Sequence, residues 1–158
     1  MIKKFIRKIL RPNSKLDFLA SLNPDSKILD VGCGNATVLG MKSVLPNCHY
    51  TGLDIADYKQ TEKSKNLMDD YIITSPDIFH KTISELKLQF DGIICSHNIE
   101  HVNDRYAVLK SISSKLNING KLYLSYPCHQ SIHFPKRNGT LSYYDDDTHI
   151  DLPLYRSI

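Results

Sequence analysis

The residues best suited to binding chemistry begin at Asp30, which precedes a turn containing Gly32 and Gly34 and then a helix-forming stretch. Glycines let a ligand approach the backbone closely, and free amide groups at the start of a helix attract a carboxylate or a phosphate. Asp30 adds negative charge at the mouth of the turn, which is unfavourable beside a pyrophosphate but favourable beside an ammonium or sulfonium group. The turn therefore favours an amino-acid-like ligand over NAD.

A second acidic residue, Asp54, ends the next apolar stretch and lies 20 residues beyond Gly34. An acidic side chain at this spacing from a glycine turn accepts hydrogen bonds from ribose hydroxyls. Together, the turn and Asp54 predict a site for a nucleoside.

A third polar group follows the apolar stretch 90–95 and includes His97 and His101. A histidine can take a proton from an alcohol at neutral pH, but either residue is equally well explained as a structural histidine that holds the loop. Residues 97–101 also match the H-x-x-E-H pattern of inverted zinc metalloproteases. That interpretation is rejected, because it requires a long helix in a much larger enzyme.

These polar groups lie between stretches that alternate between strand length and helical periodicity. The predicted strands are Lys27 to Val31, His49 to Asp54, Tyr71 to Thr74, Phe90 to Cys95 and Gly120 to Tyr126. The predicted helices are Leu16 to Leu22, Thr37 to Val44, Lys59 to Leu67, Lys81 to Leu88 and Asp104 to Leu116. Such alternation predicts an α/β fold with a doubly wound, mostly parallel sheet, whose ligand binds at the carboxyl ends of the strands.

The motif Asp30-x-Gly32-x-Gly34 followed by Asp54 resembles the first two motifs of class I S-adenosylmethionine-dependent methyltransferases. The segments 90–102 and 116–122 resemble the family's fourth motif and the turn before its fifth strand. Ala36 and Asn119 stand where many members have glycine, and Asn tolerates positive φ. The resemblance implies a Rossmann-like methyltransferase fold and S-adenosyl-L-methionine as cofactor, bound by Asp30, Gly32, Gly34, Asp54, Ile55, Asp77, Ile78 and Ser96.

Within this resemblance, Asp30 and the two glycines would contact the methionine part of the cofactor, Asp54 the ribose and Asp77 the adenine amino group. Asp77 follows a proline, however, and is equally typical of an ordinary helix cap. His97 and His101 are the candidate catalytic bases, with His97 favoured because it lies nearer the strand end. Some methyltransferases hold a divalent ion with two Glu and one His at these positions. Because His97 replaces the first Glu, no metal is expected.

The length of 158 residues suits a single methyltransferase domain. It divides into an N-terminal helical segment (1–26), a cofactor-binding core (27–126) and a substrate cover (127–158). The family's sheet has seven strands and five are visible, so we expect the C-terminal strands to be missing and the chain to be truncated. An exposed edge strand invites pairing, which predicts a homodimer or a partner subunit at that edge.

The composition of the chain limits which kinds of partner and which cellular compartment we expect for the protein. The longest apolar stretches are too short to span a bilayer, and the chain shows neither a basic stripe interleaved with aromatics nor a signal peptide. The basic segment from Met1 to Leu10 is interpreted as a helix packed on its own domain rather than on a membrane. The four cysteines are widely spaced, which fits a reducing compartment. We therefore expect a cytoplasmic protein without stable membrane insertion and without a nucleic-acid partner.

The resulting expectation is an enzyme that methylates a hydroxyl group of a small molecule or of a surface-glycan precursor. The glycan part rests on the resemblance of the polar, aromatic segment 126–149 to methyltransferases encoded among bacterial polysaccharide genes. The acidic run Asp145 to Asp147 within it is equally well explained as a solvated turn. Two alternatives remain open: a non-catalytic nucleotide-binding remnant or partner subunit, and, less favoured, an NAD-linked oxidoreductase.

Overall fold

The computed structural model describes residues 14–136 and 142–150. Five strands are present: β1 (Lys27–Val31), β2 (His49–Asp54), β3 (Asp70–Ile73), β4 (Phe90–Ser96) and β5 (Leu116–Ser125). The α-helices are α1 (Lys15–Leu19), α2 (Thr37–Val44), α3 (Glu62–Lys65), α4 (Phe79–Glu85) and α5 (Arg105–Ser114). Short 3-10 helices lie at Pro76–Ile78, Ile99–His101, His129–His133 and Tyr143–Asp145. The predicted N-terminal helix from Met1 to Leu10 and the last part of the predicted substrate cover, residues 151–158, lie outside the described residues.

The strands form one parallel sheet in the order β3-β2-β1-β4-β5. The first three strands are added in one direction from β1, and the chain then crosses over so that β4 pairs with the other side of β1. This reversal next to β1 is the point at which open α/β sheets bind their ligands, at the carboxyl ends of the strands. The predicted fold class is confirmed.

Both faces of the sheet are covered. On one face, Leu29 and Val31 pack with side chains of α4 and α5, including Ile83 and Ile112. On the other face, Ile28 and other apolar side chains pack with Leu19 of α1 and with Val38 and Met41 of α2. Because both faces are covered, β1 is buried continuously from Ile28 to Val31 rather than at alternate residues.

The bounds of β1, α2 and β2 agree with those predicted, and most other elements differ by a few residues. The largest difference is β5, which begins at Leu116 rather than Gly120. Leu116 pairs with Phe90, whereas Lys121 pairs with Gly92, so the strand bulges between these pairs. Asn119 lies in the bulge with φ +65°, which fits its tolerance of positive φ. Backbone pairing thus extends this strand into residues 116–119, which were assigned from the sequence to the turn before it.

Among the described residues, β5 pairs with β4 alone and forms one edge of the sheet. Coverage of this edge by a second copy or by a partner subunit stays a prediction. In the part of the chain that the structure describes, no helix combines the length and the apolar character needed to cross a membrane.

Candidate functional site

A cavity of about 610 Å³ opens where β1, β2 and β4 end. Its volume lies within the range of small-molecule sites. It is lined by Lys15, Gly32, Gly34, Asn35, Thr37, Asp54, Ile55, Tyr58, Ser96, His97, Asn98, His101, Asp146 and Thr148. Seven of the ten predicted site residues therefore share one cavity, and the exceptions are Asp30, Asp77 and Ile78.

The glycine turn is held against the end of β2 by its own backbone amides. Gly32 N and Cys33 N donate to the carbonyl oxygen of Leu53 at 2.8 and 3.2 Å, and Asn35 N donates to Tyr58 O at 3.1 Å. The expectation that a ligand meets free amides along the turn is therefore wrong for these three groups. These amides instead hold the turn in place. The chain leaves β1 next to the end of β2, where backbone carbonyl oxygens are available as acceptors.

Gly32 adopts φ +79°, and a Cβ atom at this position would lie 2.7 Å from Asn98 Nδ2. Both the backbone conformation and the contact require glycine. At Gly34 a Cβ would lie 3.3 Å from Asp54 Oδ2. The turn thus leaves the cavity side of both residues free of side chains.

Gly32→Ala is expected to lower the free energy of unfolding by about 1–3 kcal/mol, since alanine pays for the left-handed conformation and crowds Asn98. Denaturant unfolding followed by circular dichroism measures the change. Gly40→Ala is the matched control: nothing lies within 4 Å of a Cβ in this helical position, so it should stabilise by about 0.4–1 kcal/mol. Equal stability of Gly32→Ala and the wild type would contradict the strain at this turn.

Asp30 lies beneath the turn rather than at the surface of the cavity. It is 1 % exposed, and its Oδ2 accepts hydrogen bonds from Thr37 Oγ1 at 2.7 Å and from the Tyr50 hydroxyl at 2.8 Å. Burial raises its pKa, although the positive charge of Lys15 opposes this shift. Asp30 thereby ties the start of α2 to β2, and its contact with a ligand stays a prediction.

Asp54 lines the cavity in a fixed orientation. Its Oδ1 accepts from Ile55 N at 2.7 Å, and the amides of Gly34 and Ala56 also hydrogen-bond to the carboxylate. Burial nevertheless raises its pKa above that of an ordinary aspartate. An oriented carboxylate at the end of β2, beside the partly exposed Ile55, is suited to accept hydrogen bonds from ribose hydroxyls.

Asp77 and Ile78 occupy the 3-10 helix that follows β3, at the edge of the sheet. Ile78 is 49 % exposed, and neither residue lines the cavity as the structure has it. Pro76 begins this helix, and no side chain caps it. Asp77 therefore does not act as a helix cap, which was the alternative interpretation. Contact of these two residues with an adenine ring stays a prediction.

The end of β4 and the loop after it bring the side chains of Ser96, His97 and Asn98 to the cavity. Ser96 hydrogen-bonds to Ser125 at 2.8 Å, and His97 N donates to Ser125 O at 2.8 Å. His97 adopts φ +52°, and its side chain is 55 % exposed with Nδ1 3.3 Å from Glu100 Oε1. The interaction with Glu100 raises the pKa of His97, against the opposing effect of partial burial.

His101 lies at the end of the next 3-10 helix and contacts the segment 142–150. Its Nδ1 lies 2.9 Å from Thr148 Oγ1 and 3.2 Å from Thr148 O. The backbone of the same segment is anchored by Ile150 N, which donates to Glu100 O at 3.0 Å. Residues 146 and 148 thereby come to line the cavity, although they are far from β4 in the chain.

Seven of the lining residues were not named from the sequence as site residues: Lys15, Asn35, Thr37, Tyr58, Asn98, Asp146 and Thr148. Asn35 and Asn98 adjoin predicted site residues, so their positions next to strand ends were a usable signal. Lys15 had none, because α1 precedes β1 and reaches the cavity only through packing on the sheet. Lys15 is the cation that the cavity places near Asp30 and His97.

The sheet order, the cavity beside β1 and β4, the glycine turn and Asp54 together define a Rossmann-like nucleoside-binding domain. A sequence model of the family described as "Methyltransferase domain" matches residues 3–157. The chain belongs to this methyltransferase-domain family, which confirms the resemblance seen in the sequence.

Individual relatives are similar at low identity. The chain is 26 % identical over 118 residues to (S)-coclaurine N-methyltransferase of Papaver somniferum, covering 72 % of this chain and 33 % of that protein. It is 27 % identical over 118 residues to ubiquinone biosynthesis O-methyltransferase of Xanthomonas campestris pv. campestris. That match covers 70 % of this chain and 48 % of that protein. The chain therefore spans between a third and a half of the length of these relatives.

A solved structure of coclaurine N-methyltransferase bound to N-methylheliamine and SAH superimposes with a TM-score of 0.58 at 25 % identity. The match covers 73 % of this chain and 35 % of that one. The O-methyltransferase of a trans-AT PKS multienzyme of Brevibacillus brevis, in complex with S-adenosyl-L-homocysteine, superimposes with a TM-score of 0.53 at 20 % identity. This match covers 73 % of this chain and 46 % of that one. The second likeness supports the fold.

Proposed function

We propose that this chain binds S-adenosyl-L-methionine and methylates a hydroxyl group of a small molecule or a surface-glycan precursor. The observation that carries the proposal is that one cavity joins the glycine turn and Asp54 to Ser96 and His97. A ligand that fills it from the turn toward β4 extends from a nucleoside-binding acid to a histidine. The related coclaurine N-methyltransferase binds SAH, which supports the assignment of the cofactor.

The residues that line the cavity fit the two ends of this cofactor. The Asp54 carboxylate keeps Oδ2 beside Gly34 and is suited to the ribose hydroxyls. Lys15 offers a positive charge to the carboxylate of the methionine part, and Asp30 balances that charge from beneath the turn. The turn allows close approach of the ligand at Gly32 and Gly34, because these two residues have no side chains.

S-adenosyl-L-methionine supplies an electrophilic methyl group: the acceptor oxygen forms a bond to the methyl carbon as the carbon–sulfur bond breaks, leaving S-adenosyl-L-homocysteine. The protein's part is to align the two partners, to exclude water and to remove the proton of the hydroxyl. His97 is the proposed base, because it lines the cavity at the end of β4. Contact of its Nδ1 with Glu100 leaves Nε2 to receive the proton.

His101, the second histidine considered as a base, is held differently. Its Nδ1 is engaged by Thr148, so it fixes the segment 142–150 over the cavity. We therefore assign proton transfer to His97. Relatives include both O- and N-methyltransferases, and a general base favours the oxygen acceptor, since a neutral amine attacks without prior loss of a proton.

Isothermal titration with S-adenosyl-L-homocysteine tests the cofactor assignment, with NAD⁺ titrated in parallel. We expect binding in the micromolar range for the former and no heat for NAD⁺. The same protein is then incubated with labelled S-adenosyl-L-methionine and panels of phenols, sugar hydroxyls and amines. Turnover of hydroxyl acceptors supports the proposal, and turnover confined to amines contradicts it. Cofactor binding without turnover of any acceptor favours the non-catalytic module, and NAD⁺ binding alone favours an oxidoreductase.

A further inference from the structure

Glu100 is a buried acid whose part in the proposed methyl transfer is the 3.3 Å contact with His97 Nδ1, a contact that lacks hydrogen-bond geometry. Its side chain is 0 % exposed, and neither carboxylate oxygen has a hydrogen-bond partner among the described residues. A buried carboxylate without donors is unfavourable unless a positive charge lies next to it. A cation held beside Glu100 would offset this cost.

Three histidine side chains surround this carboxylate. His149 Nε2 lies 3.9 Å from Oε1, and His97 Nδ1 lies 3.3 Å from the same oxygen. One potential ligand atom from each of Glu100, His101 and His149 lies within 4.8 Å of the other two. Two histidines and a carboxylate are thus grouped around a common point.

The hydrogen bonds of His149 and His101 determine which nitrogen is available. His149 Nδ1 lies 2.6 Å from the carbonyl oxygen of Tyr143, and a carbonyl only accepts, so Nδ1 carries the proton. His101 Nδ1 faces Thr148 O at 3.2 Å and Thr148 Oγ1 at 2.9 Å. That hydroxyl donates to Asp146 at 2.6 Å, so this Nδ1 also donates.

In each neutral ring, Nε2 then carries the lone pair. A lone pair on His149 Nε2 facing the Glu100 carboxylate at 3.9 Å is repulsive, and either a second proton on the ring or a metal ion between the two groups removes that repulsion. Metal-binding histidines in proteins have this arrangement, with the other ring nitrogen donating to a carbonyl or another fixed acceptor. Here the acceptors are the carbonyl oxygens of Tyr143 and Thr148, and both belong to the segment 142–150.

We propose that Glu100, His101 and His149 bind one divalent transition-metal ion at the edge of the cavity. Imidazole together with carboxylate suits Zn²⁺, Fe²⁺ or Co²⁺, and ligand distances of roughly 2.0–2.2 Å would draw the three side chains closer together. The sequence predicted no metal, because His97 stands where a metal-binding methyltransferase has Glu. The third ligand is instead His149, which only the fold brings to Glu100.

Because His101 lines the cavity, an ion held there lies on the acceptor side, next to His97. Three protein ligands leave a position open for an oxygen of the acceptor, whose hydroxyl proton becomes more acidic on binding. This role in methyl transfer rests on the function proposed above. The metal site itself does not.

The test uses the full chain, freed of any histidine tag and treated with chelator. Titration with Co²⁺, followed by its visible absorption bands, and with Zn²⁺, followed by calorimetry, is expected to give one bound ion per chain. His149→Gln and Glu100→Gln should each weaken binding at least tenfold. His49→Gln is the control, because His49 begins β2 and therefore lies at the end of the strand opposite to the cavity, and it should bind like the wild type.

Circular dichroism and titration with S-adenosyl-L-homocysteine, both on the metal-free proteins, report whether each variant is folded. Absence of Co²⁺ and Zn²⁺ binding by the folded wild type would overturn the metal site, as would unchanged binding by both variants. S-adenosyl-L-homocysteine binding without metal binding rejects the metal site alone. Metal binding without S-adenosyl-L-homocysteine binding rejects the proposed cofactor alone.

Discussion

Asp54→Ala is expected to weaken binding of S-adenosyl-L-homocysteine by about 10–100-fold, which corresponds to the loss of hydrogen bonds to a charged acceptor. The carboxylate is oriented by the amides of Ile55, Gly34 and Ala56, so the wild-type site needs no rearrangement to accept ribose hydroxyls. Alanine removes the acceptor and also leaves those three amides without it. Calorimetric titration measures the change in affinity.

Asp54→Asn separates the two effects, since asparagine keeps the volume and one acceptor oxygen while removing the charge. We expect it to fold like the wild type and to lose most of the affinity. Asp70→Asn is the matched control: Asp70 begins β3, away from the cavity, and contacts His49 at 3.6 Å. Wild-type affinity in both Asp54 variants would remove Asp54 from the cofactor site.

The pH dependence of binding gives a second readout of the same residue. Burial raises the pKa of Asp54, and the nearby charge of Asp30 adds to this shift. The carboxylate therefore becomes protonated at a higher pH than an ordinary aspartate. Affinity of the wild type should fall on acidification above the ordinary aspartate range, whereas the affinity of Asp54→Asn should be flatter over the same pH interval.

His97→Asn is expected to lower kcat for a hydroxyl acceptor by about 10²–10⁴, the usual contribution of a general base. Asparagine is chosen because His97 has φ +52°, a conformation that asparagine tolerates and most other residues disfavour. Affinity for S-adenosyl-L-homocysteine should stay within a few-fold of the wild type, since the assigned ribose contact is made by Asp54. Steady-state kinetics with an acceptor identified in the panel measures the effect.

Added imidazole should restore part of the lost activity of His97→Asn, because a free base can enter the space that the side chain leaves. His129→Asn is the control: His129 is exposed in the 3-10 helix after β5 and should retain wild-type kcat. A kcat that falls less than tenfold in His97→Asn, or activity that imidazole does not raise, argues against His97 as the base.

The sheet follows from local sequence to a large degree. Residues 27–31 and 49–54 are β-rich stretches that end at Val31 and Asp54, and the structure has the same bounds. In both strands every residue after the first is buried, as a parallel sheet covered on both faces requires, and short crossover helices fix the order of neighbours. Fold class and the position of the cavity at the strand ends were therefore predictable.

The local sequence pattern did not predict features that depend on backbone pairing or on contacts between residues far apart in the chain. The start of β5 at Leu116 depends on hydrogen bonding to the backbone of β4, where Phe90 N donates to Lys115 O at 2.8 Å. Strand formation there requires only a neighbour with free amides and carbonyls. Leu116 and Ile118 do alternate with Asn117 and Asn119, but Ile118 is 94 % exposed, so the alternation does not mark a buried face.

The orientation of Asp30 is a second such case. The sequence places an acid directly before the glycine turn, but it does not say whether the carboxylate faces the ligand or the protein. Tyr50 of β2 and Thr37 of α2 supply two hydroxyl donors beneath the turn, and a buried carboxylate takes donors wherever they are offered. Its partners are set by the packing of α2 and β2 against β1.

The sequence by itself determined the alternation of strands and helices, the glycine turn and the acids and histidines at the strand ends, because these depend on local periodicity and on residue type. Only the tertiary structure decided that Lys15 enters the cavity and that His149 lies beside Glu100. These contacts join residues far apart in the chain. They form only when helices and loops pack onto the finished sheet, so their energetic basis is the burial of surfaces that no local stretch contains.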